Sequence, residues 1–144
     1  MGCKLPAMNF PLNHADLETG LDLFNRGHFF EAHEVLEDLW RALARDHPTR
    51  RHHQGMVQLA VAFHHQSTGN HIGARSVLER ALRNLNGGDS SFPELDLDRL
   101  RAELEPWRRY LELSNAASGS GGRDAGRQVK RPATPELPRI MRRS

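Results

Sequence analysis

The chain has 144 residues, of which 38% are hydrophobic and 26% charged, as expected for one globular domain with its own core. No apolar run approaches the roughly 20 residues that a membrane-spanning helix needs. The first residues also lack the apolar stretch of a secretory signal peptide, and Cys3 has no second cysteine with which to form a disulfide. We therefore expect a cytoplasmic protein without a membrane span.

The net charge of +2 is unevenly distributed along the chain. Residues 123–144 hold seven basic and two acidic residues, a net charge of +5, whereas residues 1–122 carry −3. A run rich in Gly and Ser, "NAASGSGGRDAGRQ", precedes most of these basic residues and is typical of a flexible linker. The sequence thus predicts a disordered basic tail over residues 115–144. The alternative is that this tail contacts nucleic acid nonspecifically.

Residues 1–12 contain two prolines and no periodicity, so we expect an irregular arm. Asn13 is a suitable cap for a first helix over residues 14–25. The next helix is predicted to run from His28 to about Arg45. One of its faces is a stripe of apolar residues at helical spacing: Ala32, Leu36, Leu39 and Leu43.

A third helix is predicted from Thr49 to Gly69, and because it is apolar on most sides it should be the central one. A fourth follows over residues 71–85. Asp96 is the predicted cap of a last helix, which Pro106 should bend or split. No segment alternates between polar and apolar residues as a strand does. The sequence therefore predicts an all-α domain over residues 13–114, a compact bundle of about five helices.

An internal repeat supports this architecture. The stretches "GHFFEAHEVLE" (27–37) and "GNHIGARSVLE" (69–79) align without a gap at an offset of 42 residues. In each copy a predicted helix precedes the glycine and another follows it, which is the pattern of a helical hairpin. We therefore expect two hairpins in the bundle.

Polar side chains at helical spacing indicate where a site would lie. His33, Glu37 and Trp40 form a strip beside the apolar stripe of the second helix. The third helix has a matching strip that contains Gln54, Gln58 and His65. If the two strips face each other, they form either an interhelical hydrogen-bond network or a groove for a protein or small-molecule partner. Three of these side chains are the types that hold a divalent metal: His33, Glu37 and His65.

The stretches "LFNRGHFFEAHEVLEDLW" and "HQGMVQLAVAFHHQSTGNHIGARSVLERAL" resemble the domain of unknown function 309 family, over roughly residues 17–85. The resemblance implies an all-helical fold and no established activity. It also implies a set of shared polar positions: Glu31, His33, Glu34, Glu37, Trp40, Gln54, Gln58, His65 and Asn70.

Together these observations predict a small helical-bundle protein that binds a partner in a polar groove between helices. The alternative is a metal-dependent, hydrolase-like enzyme with His33, Glu37 and His65 as ligands. The sequence assigns no catalytic residue.

Overall fold

The computed structural model describes residues 14–119 and 133–143. The described residues form five α-helices, which are α1 (His14–Asn25), α2 (Phe29–Ala42), α3 (Arg50–Ser67), α4 (His71–Leu85) and α5 (Leu97–Gly119). A short 3₁₀ turn, Gly88–Ser90, lies between α4 and α5. The predicted all-α class is confirmed, and α1 and α4 have the predicted bounds. The predicted arm, residues 1–12, lies outside the described residues.

Each helix packs mainly on the next one along the chain, from α1 through to α5. Half of the residues of α3 are buried, because its apolar side chains point in most directions. The predicted central position of this helix is thus confirmed. On α2, three residues of the predicted stripe are buried (Ala32, Leu36 and Leu39), whereas Leu43 follows the end of the helix and is half-buried.

The two turns of the internal repeat have the same backbone conformation. Gly27 and Gly69 have φ angles of 86° and 87°, a left-handed region that side chains other than glycine rarely adopt. Ala32 and its counterpart Ala74 are both fully buried. The repeat therefore corresponds to two helical hairpins, α1–α2 and α3–α4.

An aromatic cluster joins four of the helices. The Phe24, Phe29 and Phe63 rings lie 5.1 to 6.0 Å apart, and Trp107 packs edge-on against Phe63 at 5.0 Å. These side chains belong to α1, α2, α3 and α5 respectively, so the last helix is part of the same core. Pro106 does not split α5, which continues through it to Gly119.

The C-terminal segment, residues 133–143, lies against the helical body in an extended conformation. Pro138 is fully buried and Ile140 is 4% exposed. These residues belong to the predicted tail, and several of them bond to the helical body. The linker that joins them to α5, residues 120–132, lies outside the described part of the chain.

Candidate functional site

The predicted polar strip of α2 is bonded mainly to itself. His33 Nε2 lies 3.2 Å from Glu37 Oε1, and the guanidinium of Arg41 donates to Glu37 Oε2 at 2.9 Å. All three residues are four positions apart on one helix face, which is why their side chains meet. Both oxygens of the Glu37 carboxylate are thus engaged within α2.

Trp40, the third residue of the strip, contacts the start of α3. The Arg50 guanidinium carbon lies 4.5 Å from the centre of the Trp40 ring, a cation–π contact. The indole Nε1 of Trp40 is buried and has no hydrogen-bond partner among the described residues. Trp40 therefore connects α2 to α3 through its ring face and not through its polar atom.

Two of the three predicted polar residues of α3 have partners outside the α2 strip. The side-chain amide of Asn84, on α4, donates to Gln58 Oε1 at 2.7 Å. His65 Nδ1 lies 3.4 Å from the side chain of Asn70, in the turn that begins α4. Gln54 is half-buried. The structure thus brings His33 and Glu37 together but joins Gln58 and His65 to the α3–α4 side.

The residue types predicted to hold a metal do not form a three-ligand cluster. Within residues 14–119 and 133–143, no three His, Cys, Asp or Glu side chains are close enough to share one ion. His33 and Glu37 remain as a pair. In the described residues, only two of the three ligands predicted for a metal-dependent enzyme therefore lie together.

A second candidate site is the groove that holds the C-terminal segment, which we call the segment groove. Its residues come from the end of α1 (Asn25), from α5 (Glu103 and Trp107) and from the loop of residues 94–96. The Asn25 side chain donates to the Ile140 carbonyl at 3.0 Å and accepts the Ile140 N–H at 2.7 Å. One amide side chain thus satisfies both backbone groups of a single residue.

Other groove residues also bond to the segment's main chain. Trp107 Nε1 donates to the Glu136 carbonyl at 2.8 Å, and the Glu103 carboxylate accepts the Arg139 N–H at 2.9 Å. The loop adds two backbone bonds, from Asp96 N–H to the Met141 carbonyl and from Arg143 N–H to the Glu94 carbonyl, both 2.8 Å. This is the hydrogen bonding of a short antiparallel strand pair. Main-chain bonds of this kind hold an extended peptide largely independently of its sequence.

A cleft of about 650 Å³ adjoins the groove. Its walls are α1, the loop before α5 and the C-terminal segment. Most of its lining is apolar, and the carboxylates of Glu18 and Glu94 form ion pairs with Arg142 at its edge. The apolar side chains are Leu17, Leu21, Phe92, Leu95, Ile140 and Met141.

Two buried histidines contact the residues just before the loop that forms the groove. His52 and His53 are 9% and 8% exposed. His52 Nδ1 lies 2.5 Å from Ser91 Oγ, and the His53 ring packs 4.9 Å from Phe92. Burial lowers the pKa of both imidazoles below the ordinary 6.5, and Arg51 adds to this effect at His52. The folded protein thus favours the neutral form of each ring.

We expect the free energy of unfolding to fall as the pH is lowered below about 6.5. In that range the unfolded chain binds protons that the folded chain does not, so the stability from neutral His52 and His53 is complete above 6.5 and is lost below it. Urea unfolding at pH 7.5, 6.5 and 5.5 measures this loss. In a variant with His52→Gln and His53→Gln the dependence should be weaker, and an unchanged slope would contradict the assignment.

The fold and these sites define a small all-helical protein of two stacked hairpins, and no helix of its described residues has the length and apolar content to cross a membrane. The sequence model of a family described as "Domain of unknown function (DUF309)" matches residues 17–77, and this is the family that the sequence resembles.

Two curated relatives are similar to the chain. An uncharacterized protein of Aquifex aeolicus (strain VF5) is 29% identical over 64% of this chain. The uncharacterized protein YpuF of Bacillus subtilis (strain 168) is 35% identical over 51% of it. The aligned parts are 27% and 41% of these relatives' own lengths.

Sequence reasoning did not find the segment groove. Asn25, Glu103 and Trp107 are far apart in the chain and follow no shared pattern. The one available signal was the stretch "PELPRIMRR" (135–143), whose apolar residues and prolines contrast with the Gly/Ser-rich run before it.

Proposed function

We propose that this protein is a binding module that holds an extended polypeptide in the segment groove. The observation that carries the proposal is the double hydrogen bond of Asn25 to the main chain of Ile140. A side chain that bonds to both the N–H and the carbonyl of one residue recognises the main chain of an extended peptide and not its side chains. The bonds from Glu103, Trp107 and the loop extend this recognition over residues 136–143.

In this proposal the C-terminal segment is an intramolecular occupant of the groove. Thirteen residues, 120–132, connect it to α5. Fully extended they span roughly 45 Å, whereas the segment already lies beside α5 at Trp107, twelve residues before the helix ends. The segment therefore has enough chain to leave the groove while the helices stay folded.

The test is to cut the linker of the full-length chain at a protease site inserted between residues 120 and 127. The freed segment should remain bound and exchange with a labelled peptide of residues 133–143, which fluorescence anisotropy measures. Asn25→Ala removes two hydrogen bonds, each contributing about 0.5–1.5 kcal/mol. It should therefore raise the Kd of the peptide about tenfold or more.

Asn84→Ala is the matched control, because it removes an equivalent amide whose bond, to Gln58, lies outside the groove. It should leave the Kd of the peptide unchanged. A cut chain that releases the segment and then binds no peptide would refute a peptide-binding function.

A further inference from the structure

The C-terminal segment shows which side chains the segment groove accepts. Pro138 is fully buried, and as a proline it has no N–H that would need a partner there. Two residues later, the Ile140 side chain is buried while its main chain bonds to Asn25. The groove thus accepts proline and an aliphatic residue at alternate positions, as expected when one face of an extended chain is buried.

The two residues that follow Met141 are basic and lie among carboxylates. Arg142 forms ion pairs with Glu18 on α1 and with Glu94, the latter at 3.7 Å. Arg143 Nη2 lies 3.8 Å from Asp89 Oδ2. These acidic residues come from three different parts of the body, so the groove favours positive charge at two successive ligand positions.

The segment leaves part of this region unfilled. Met141 lines the cleft of about 650 Å³ but is only half-buried, although Leu17, Leu21, Phe92 and Leu95 offer it apolar walls. Ligand pockets in proteins are commonly about 300–1,000 Å³ and mostly apolar. The cleft therefore has room for a side chain much larger than methionine at this position.

We propose that the segment groove and the cleft together bind an extended basic segment of another protein, with the pattern Pro-x-aliphatic-aromatic-basic-basic, and that the C-terminal segment is its tethered competitor. The proposal rests on the peptide-binding function proposed above. The aromatic side chain would enter the cleft, where it buries more apolar surface than Met141 does. The linker holds the C-terminal segment at a high effective concentration beside the groove, and a partner must displace it. A side chain that fills the cleft better than Met141 would give the partner the additional affinity that this requires.

The experiment uses the full-length chain cut in its linker, with the C-terminal segment labelled and still bound. Three unlabelled peptides of residues 135–143 compete with it: the natural sequence, one with Met141→Trp, and one with Met141→Trp, Arg142→Glu and Arg143→Glu. The Met141→Trp peptide should displace the label at about one tenth of the natural peptide's concentration, equivalent to about 1.4 kcal/mol. The charge-reversed peptide should be the weakest of the three.

A second variant tests where the tryptophan goes. Leu17→Trp fills the cleft from α1, so the natural and Met141→Trp peptides should then compete at equal concentrations, even if both bind more weakly than to the unaltered chain. Two results would overturn the inference that the cleft binds the side chain at position 141. One is equal competition by the two peptides for the chain without Leu17→Trp, and the other is an advantage of the Met141→Trp peptide that persists in the Leu17→Trp variant.

If the proposed peptide-binding function is itself wrong, none of the three peptides displaces the labelled segment. This result differs from those that would overturn only the inference about the cleft. A further result that would overturn the inference is a dimer of the uncut chain in light scattering that depends on residues 133–143. In that case the partner of the groove would be a second copy of this chain.

Discussion

Replacing Trp107 with alanine is expected to lower the free energy of unfolding by about 3–5 kcal/mol, the usual loss for a fully buried tryptophan. Trp107 is 1% exposed and packs edge-on against both Phe63 and Tyr110. It also donates the hydrogen bond to Glu136 that holds the C-terminal segment. Because a domain is stable by only about 5–15 kcal/mol, this one change should remove a large part of the total. Urea unfolding followed by far-ultraviolet circular dichroism measures the loss.

Phenylalanine substitutions at the two tryptophans separate packing from hydrogen bonding. Trp107→Phe keeps a buried ring but removes the hydrogen bond to the Glu136 carbonyl, so it should cost about 0.5–1.5 kcal/mol. Trp40→Phe removes a buried N–H that has no partner in the described part of the chain. It should change the stability by less than about 0.5 kcal/mol or increase it. Equal losses at the two positions would contradict this account.

Gly55→Ala is expected to destabilise the protein by about 1–2 kcal/mol, because the added methyl overpacks the contact between α3 and α4. A Cβ at Gly55 would lie 2.8 Å from Leu85 Cγ and 3.1 Å from the Leu85 backbone nitrogen. Leu85 is 1% exposed, and its backbone belongs to α4, so relief requires moving the helix. The cost of overpacking should be larger than the roughly 0.5–1 kcal/mol by which alanine stabilises a helix relative to glycine, so the net effect is a loss of stability. Thermal unfolding of the variant measures the net effect.

Gly20→Ala is the matched control, since Gly20 is also buried within a helix. Its added methyl would meet the side chains of Leu36 and Val35, the nearest contact being 2.8 Å from Leu36 Cδ2. A methyl group at the end of a leucine moves more easily than a helix backbone, so this variant should lose less stability than Gly55→Ala. The reverse order would show that α3 and α4 adjust more easily than the packing implies.

The bundle was predictable from the sequence because its signals are local. The apolar stripe of α2 and the turn residues Gly27 and Gly69 follow from helical periodicity and from backbone conformation. The offset of 42 residues between the hairpins was also visible, and the equal φ angles of their glycines confirm it. The charged residues of α2 that lie opposite the stripe, including Glu31 and Asp38, are exposed.

The candidate site was predictable only within one helix. The pairing of His33 with Glu37 follows from their spacing of four residues. The partners of Gln58 and His65 could not be predicted, because they depend on which face of α3 packs against α2 and which against α4. Nor could the environment of His52 and His53 be predicted, because these rings are buried against the loop that contains Ser91 and Phe92, 39 residues further along the chain.

The sequence by itself determined the helices, their turns and the central position of α3, since these depend on residues a few positions apart. Only the tertiary structure decided that residues 133–143 lie on the body, because Asn25 and Ile140 are 115 positions apart and no periodicity connects them. The composition of the tail indicates a linker, yet its last residues combine buried Pro138 and Ile140 with arginines that meet acidic side chains. Burial and charge pairing of this kind exist only once the helices have placed their surfaces together.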